Sequence, residues 1–376
     1  MNETRESADI VIVGGGIVGC ATAWNLAKKG LKVVVFEKGE IGGRGSGANA
    51  GGVRQSGRDL REIPVATMAV NIWGTLDEQL GMDVEYTRKG NLRLCVTEDH
   101  VKTMTASVKK QQALGLDVRM VTLEEAQQIN PFLSEKVLGC SWCPTDGHAN
   151  PHRATYAFFR AAKREGVTFY THEPITDFIV ERRSIAAVRS AKRTVLTPLV
   201  LNAAGTASRK LANMVGIDFP MYTSYNEVLV TEPRPPMFQT MFGIATGKFY
   251  GRQTQHGAFV WAGYTGLEDS LHRDDTTPVY SLNAPCTCRA VLGYFPKLGT
   301  LNVIRTWSGI YDKMADGVPV LGPAHEVDGF WLAAGFSGHG FGISPAVGQL
   351  MSEWIAEDRP SMDLSAFAYD RFVPQN

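Results

Sequence analysis

Asp9-Ile10-Val11-Ile12-Val13-Gly14-Gly15-Gly16-Ile17-Val18-Gly19 is a short apolar strand running directly into G-x-G-x-x-G. An amphipathic stretch from Ile17 to Lys29 follows, then a turn at Gly30, a second apolar strand Lys32-Val33-Val34-Val35-Phe36, and Glu37-Lys38. This is a complete βαβ unit with an acid at the end of its second strand. Each part has a mechanical role in holding a dinucleotide. Gly14 permits the tight turn, Gly16 lets a pyrophosphate approach the backbone, and Gly19 lets the helix pack close to the strand. The helix start at Ile17 and Val18 offers free N–H groups and a positive dipole end to phosphates. Glu37 can accept hydrogen bonds from ribose hydroxyls.

The rest of the composition narrows the class. The chain has 376 residues, enough for two ordinary domains. Lys+Arg and Asp+Glu balance at 38 each, which argues against nucleic-acid binding or a membrane-surface role driven by bulk charge. No apolar run approaches the ~20 residues that a membrane span needs. Met1 to Ala8 is polar, without an apolar signal core, so a cytoplasmic protein is expected. Cys20 and Cys95 read as small packed hydrophobes. Cys140/Cys143 and Cys286/Cys288 form C-x-x-C and C-x-C. They lie far apart in sequence, so free thiols are expected and no metal.

Beyond Glu37, residues Gly39 to Gly57 form a glycine-rich loop containing Arg44, Ser46, Ala48, Asn49, Ala50, Gly51, Gly52 and Arg54. Beside a dinucleotide site its amides suit phosphates and a flavin ring. Helical periodicity spans Ile63 to Leu80, 99–114 and 122–130, where Thr122 and Glu125 form a capping box. Strand-like text runs from Val84 to Val96, with a turn at Gly90-Asn91. A helix is expected from Asn150 to Gly166, a strand at Thr168-Phe169-Tyr170, and strands near 176–189 and 194–201. Residues 221–312 read as an antiparallel sheet.

Two later segments separate FAD from NAD. Val200-Leu201-Asn202-Ala203-Ala204-Gly205 is an apolar strand ending on small residues that can lie against the cofactor. Gly335-Phe336-Ser337-Gly338-His339-Gly340-Phe341-Gly342-Ile343 is a strand-to-helix turn near the far end. Its N–H groups can face an isoalloxazine ring, and the helix dipole favours anionic reduced flavin. The expected fold is therefore α/β: a discontinuous Rossmann-like FAD-binding domain (1–80, 145–215 and 325–376) with an α+β, antiparallel-sheet substrate domain (81–144 and 216–324).

These segments, together with Asp316 to Pro323, resemble the D-amino acid oxidase superfamily of FAD-dependent amine oxidoreductases. The resemblance spans nearly the whole chain. Within it the chain looks most like the sarcosine oxidase branch, with the β subunits of heteromeric sarcosine oxidase, proline and hydroxyproline dehydrogenase and opine oxidase. That resemblance implies hydride transfer to FAD from the carbon beside a secondary amine, giving an imine that water hydrolyses. It also implies a larger α subunit and a small iron–sulfur or cysteine-rich subunit as partners. His152 lies where the heteromeric enzymes attach FMN, so FMN at a subunit interface is an expectation.

Departures from the branch refine the chemistry. Gly309, in Trp307-Ser308-Gly309-Ile310-Tyr311, stands where monomeric members attach FAD through a cysteine, which implies non-covalent FAD. Aligning Phe249-Tyr250-Gly251 through Ala262-Gly263-Tyr264 places Trp261 where those members carry an oxygen-activating lysine, with Lys248 out of register. A dehydrogenase is therefore expected over an oxidase. Gly57 and Gly342 replace the branch's carboxylate-binding cations, leaving Arg54 as the candidate, assisted by Arg44 or Arg58. The alternative for Arg54 is structural support of the loop. Tyr250 is expected to shape the pocket and hydrogen-bond substrate, or else to be a core aromatic; His339 is expected to contact flavin. The competing functions are a stand-alone oxidase, an NAD-dependent dehydrogenase and a non-catalytic scaffold subunit.

Overall fold

The computed structural model describes residues 4–247, 249–263 and 282–372. The opening strand Ile10–Val13 sits in the middle of a six-stranded sheet ordered Val320–Pro323, Phe330–Ala334, Val200–Asn202, Ile10–Val13, Val33–Phe36, Thr168–Tyr170. All its pairings are parallel except that between Val320–Pro323 and Phe330–Ala334. Both flanking strands of the βαβ unit are buried at every position, as expected for a parallel sheet covered on both faces. Their side chains alternate between two cores. Ile10, Ile12, Val33 and Val35 pack with the helices. Val11, Val13, Val34 and Phe36 pack against Phe178, Val188 and Val195 of a second, four-stranded sheet.

The helical side is built from Ile17–Lys28, Ile63–Trp73, Pro151–Arg164 and Gly340–Glu357. Close backbone approach needs glycine at two positions. A Cβ on Gly19 would lie 2.0 Å from the Gly14 carbonyl oxygen, and one on Gly348 would lie 2.7 Å from Ala21 Cβ. The first helix is thus pressed against its strand on one side and the last helix on the other.

A larger sheet of eight described strands runs Val303–Met314, Met221–Pro233, Ala258–Gly263, Phe249–Gln253, Met241–Ile244, Asn91–Cys95, Gly139–Cys143, Arg119–Val121. One face is a core of Leu92, Leu94, Phe242, Phe249, Phe259 and Trp261, capped by Val291 and Phe295. The other face carries a row in register: Trp307, Val228, Ala262, Tyr250, Gly243 and Arg93. Val228, Ala262 and Tyr250 of this row line the site described below.

Several elements match the sequence reading, and some depart from it. The capping box at Thr122/Glu125 is formed in full. The strand expected from Val84 begins only at Asn91, because Gly90 takes φ +86° and breaks the extended run. The large sheet is not wholly antiparallel: Met241–Ile244 runs parallel to Asn91–Cys95. The stretch 221–312 also contains the helix Asn283–Tyr294. The helical periodicity 63–80 is split in two after Trp73. Cys140 and Cys143 face opposite sides of their strand, in separate cores, so they cannot grip one metal ion; among the described residues no three-ligand cluster exists. No described helix is long and apolar enough to cross a membrane.

Gly19→Ala is expected to destabilise the chain by about 1–3 kcal/mol, because the methyl meets a fixed backbone carbonyl. Gly293→Ala, in a helix with open space around it, is expected to stabilise by about 0.5 kcal/mol. Urea unfolding of the two variants checks the contrast.

Candidate active site

A long cavity of about 880 Å³ runs from the G-x-G-x-x-G turn to the second face of the large sheet. Its volume lies at the upper end of ordinary ligand pockets. Gly14, Gly16, Ile17, Val18, Glu37 and Lys38 line one end, with Ala204 and Gly205 opposite. Arg44, Ser46, Ala48 and Asn49 line its middle. Arg54, Val228, Tyr250 and Ala262 form the far end, facing Gly309, Tyr311 and the turn Gly338–Phe341.

The nucleotide end is shaped for close backbone approach. Gly14 takes φ +116°, and a Cβ there would lie 2.4 Å from the Ala203 carbonyl oxygen. Glu37 is held by two amides: Gly15 N–H donates to Oε2 at 2.7 Å and Gly39 N–H to Oε1 at 2.8 Å. Each carboxylate oxygen keeps lone-pair capacity for a hydroxyl. Ile17 N–H donates to Ser46 Oγ at 2.9 Å, so the glycine loop reaches the first helix's N-terminus. These features fit an extended dinucleotide.

The glycine loop is ordered by its own residues and by the large sheet. Asn49 Nδ2 donates to the carbonyls of Gly45 and Ser46, and its Oδ1 accepts from Gly51 N–H. Trp307 Nε1 donates to Ala48 O at 2.9 Å, and Arg252 Nε to Ala50 O at 2.9 Å. Burial, the strongest effect, pushes the Tyr250 hydroxyl's pKa up, against the opposing influence of the Ala50 amide. Tyr250 therefore stays protonated and available to donate.

The C-terminal turn is pinned from the sheet. Asp312, buried, accepts from Gly335 N–H at 2.5 Å and Phe336 N–H at 3.2 Å. Burial raises its pKa, and the two amides oppose the rise. Ser337 sits at φ +53° there, a costly conformation for a residue with a side chain. The amides of Gly335 and Phe336 are thus occupied. Those of Gly340 and Phe341, at the start of the last helix, lack intrahelical partners and face the cavity.

His339 caps this helix and joins a buried network. Arg58 Nη1 lies 3.0 Å from His339 Nδ1, and Arg58 Nη2 donates to His339 O at 3.0 Å. Glu62 Oε1 lies 3.2 Å from His339 Nδ1 and 3.6 Å from Arg58. Burial lowers the His339 pKa against the pull of Glu62. A neutral ring accepting from Arg58 fits that direction. Burial lowers Arg58 to about 10, with Glu62 opposing. Arg58 is therefore neutralised within the network and is not available as a substrate cation.

Arg54 is half-buried in the cavity wall, with Nη1 donating to Ser56 O at 2.7 Å and Gly57 O at 2.9 Å. These bonds brace the loop, and the residue also lines the cavity. Other expected residues lie off the wall. Gly19 stands behind Gly14. Ala50, Gly51 and Gly52 turn into the loop's own contacts, with Gly52 paired to His148. Gly342 gives its carbonyl to Trp73 Nε1 at 2.8 Å, and Ile343 is core. His152 is exposed; its ring lies under Gly47, whose Cβ would be 2.6 Å from Cε1, so the loop separates it from the cavity.

One alignment is corrected. Trp261 does not face the cavity but is buried among Phe259 and Phe249, and its strand neighbour Ala262 takes the cavity position. A one-residue slip exchanges the faces of a strand. Lys248 lies outside the described residues. Sequence reasoning missed Glu62, Asp312 and Asn226, the last on the strand Met221–Pro233 and lining the cavity. Only the polar residue type at alternating strand positions could have signalled the last two.

The family pattern described as FAD dependent oxidoreductase matches residues 9–354. One opine oxidase subunit, from Rhizobium meliloti, is 30% identical over 391 residues, covering 98% of each chain. The beta subunit of sarcosine oxidase from an Arthrobacter species is 25% identical over 378 residues, covering 98% of this chain and 92% of its own. The crystal structure of L-proline dehydrogenase from P. horikoshii superposes with a TM-score of 0.92 at 30% identity, covering 98% of both chains. With the pattern matched from the first apolar strand into the last helix, and a dinucleotide cavity built from the same segments, this chain belongs to the family of FAD dependent oxidoreductases.

Proposed function

We propose that the chain is the catalytic β subunit of a heteromeric dehydrogenase that oxidises a secondary-amine amino acid of the opine, proline, hydroxyproline or sarcosine type. The observation that carries the reading is the far end of the cavity. There the Arg54 guanidinium and the Tyr250 hydroxyl lie on one wall, opposite Gly338–Phe341. Arg54 suits a carboxylate. Tyr250, kept protonated by burial, donates to or orients the substrate. FAD, when bound, accepts the hydride from the carbon next to the amine nitrogen. Apolar Val228 and Ala262 exclude water beside Tyr250.

In this reading the cofactor segments act as a discontinuous FAD-binding unit (1–80, 145–215, 325–376), with the remainder forming the substrate unit. Gly309 in the cavity wall leaves FAD unattached. The uncharged Ala262, on the sheet face over the cavity, supports slow reaction with oxygen and onward electron transfer. The relatives named as subunits support partner subunits, and the reading takes these to be a larger subunit and a small iron–sulfur or cysteine-rich one. Exposed His152 beside the glycine loop supports FMN at such an interface. The six unpaired cysteines suit a reducing, cytoplasmic setting.

The purified protein is expected to be yellow, absorbing near ~450 nm, and to release FAD on denaturation. It should bleach anaerobically with a secondary-amine amino acid, with one enantiomer where that acid is chiral, and recolour slowly in air. A colourless protein, or NADH in the denatured supernatant, contradicts the reading; rapid turnover by an isolated chain with oxygen contradicts the dehydrogenase assignment.

Tyr250→Phe is expected to lower kcat/KM by about tenfold, one hydrogen bond's worth. Arg54→Gln is expected to lower it by about 100-fold, mainly through KM. Anaerobic stopped-flow reduction checks both. Unchanged reduction rates in both variants would contradict the assignment of substrate to this end of the cavity; a complex that turns over substrate at an unchanged rate with either variant while this chain's flavin is never reduced would favour a scaffold role.

A further inference from the structure

His339 stands at the start of the last helix and lines the cavity beside Gly340 and Phe341. Its Nδ1 lies 3.0 Å from Arg58 Nη1 and 3.2 Å from Glu62 Oε1. A guanidinium can only donate a hydrogen bond, and an ionised carboxylate can only accept one. One nitrogen cannot serve both. A neutral ring accepts from Arg58 through Nδ1 and keeps its proton on Nε2. A protonated ring carries a proton on each nitrogen, so Nδ1 then donates to Glu62.

The surroundings suit a group held between these two states. The Arg58 and Glu62 side chains are 0% and 1% exposed. Arg58 is fixed from behind, with Nε donating to Arg54 O at 2.7 Å and Nη2 to His339 O at 3.0 Å. Neither Glu62 oxygen accepts a hydrogen bond among the described residues. Its 3.6 Å separation from Arg58 Nη1 is an ion pair and not a hydrogen bond. Burial raises the Glu62 pKa, but His339 and then Arg58 outweigh it and hold the carboxyl below its usual value. A buried carboxylate without a donor is costly, and a proton on Nδ1 would supply the donor.

The other charged groups around the ring are Arg54 and Asp59. The large sheet adds the titratable Tyr250, Tyr311 and Asp312 to the cavity wall. Ile63–Trp73 carries no charged side chain, and the last helix carries none before Glu353. Burial lowers the His339 pKa, with Glu62 opposing, so the ring is neutral beside an uncharged occupant. A new anion at this helix terminus favours the charged ring.

We propose that His339 takes up a proton when the flavin is reduced, switching Nδ1 from acceptor of Arg58 to donor to Glu62, with Glu62 as the positioning residue that makes the uptake possible. This rests on FAD in the cavity and not on which amine is oxidised. The flavin accepts a hydride and becomes an anion. A proton from water or buffer forms the Nδ1–H bond, and no covalent bond of the protein breaks.

The test measures the two-electron reduction potential of the FAD-loaded full chain from about pH 6 to about pH 9, with electrons supplied by an electrode through mediator dyes. One proton taken up with two electrons changes the reduction equilibrium about tenfold per pH unit, roughly 30 mV; two protons change it about 100-fold, roughly 59 mV. The wild type should show the two-proton slope from about pH 6.5 to about pH 7.5, while the absorbance of the reduced flavin stays that of the anion. An indicator dye in weak buffer should count about two protons per FAD reduced in that range. His339→Gln should show the one-proton slope throughout. Glu62→Gln should move the two-proton range down by about one pH unit or more.

A one-proton slope in the wild type overturns the proposal. So does a two-proton slope that survives in His339→Gln or that accompanies the absorbance of neutral reduced flavin. An unmoved range in Glu62→Gln overturns the role of Glu62. If His339→Gln does not hold FAD, the wild-type proton count and the Glu62→Gln shift decide. Because no substrate is used, failure of every secondary amine to bleach the flavin refutes the function proposed above and leaves this result standing.

Discussion

The structure depends on how closely its first helix approaches the strand that precedes it. A Cβ at Gly19 would fall 2.0 Å from the Gly14 carbonyl oxygen, so backbone meets backbone where side chains would normally intervene. This contact aims the helix N-terminus into the cavity. It also brings Ile17 N–H within reach of Ser46 on the glycine loop and lets the last helix pack at Gly348 against Ala21. The last helix carries His339 at its start. The two ends of the cavity are therefore positioned by one close-packed helix pair.

A second coupling joins the nucleotide sheet to the large one. The strand Val303–Met314 supplies Gly309, Tyr311 and Asp312 to the cavity, and the Asp312 carboxylate is held by the amides that follow Phe330–Ala334. The loop between Gly45 and Gly52 is fastened to the large sheet by Trp307 and Arg252. Neither sheet builds the site alone. The first supplies backbone and the second supplies most of the side chains that would touch a substrate, which matches the division of labour expected of a cofactor enzyme.

Much of this was legible in the sequence because the informative features are local. The βαβ unit, the capping box and the C-terminal glycine turn each sit within about forty residues or fewer and depend on residue type at fixed spacing. The network of Arg58, Glu62 and His339 was not legible, since its members lie 281 and 277 positions apart and nothing local marks them as partners. Strand faces were the weakest point. Trp261 and Ala262 differ by one position, and only the register with Tyr250 shows which one looks into the cavity.

The most direct test of the whole account is a crystal structure of the FAD-bound chain with pyrrole-2-carboxylate, a planar acid that resists oxidation. The account predicts the adenosine half along Gly14–Gly19 and Glu37, and the flavin ring against the turn Gly338–Phe341. It predicts the small acid beside Tyr250, with its carboxylate in hydrogen-bond contact with Arg54. A nicotinamide dinucleotide in the cavity, or the acid bound away from Arg54 and Tyr250, would contradict it.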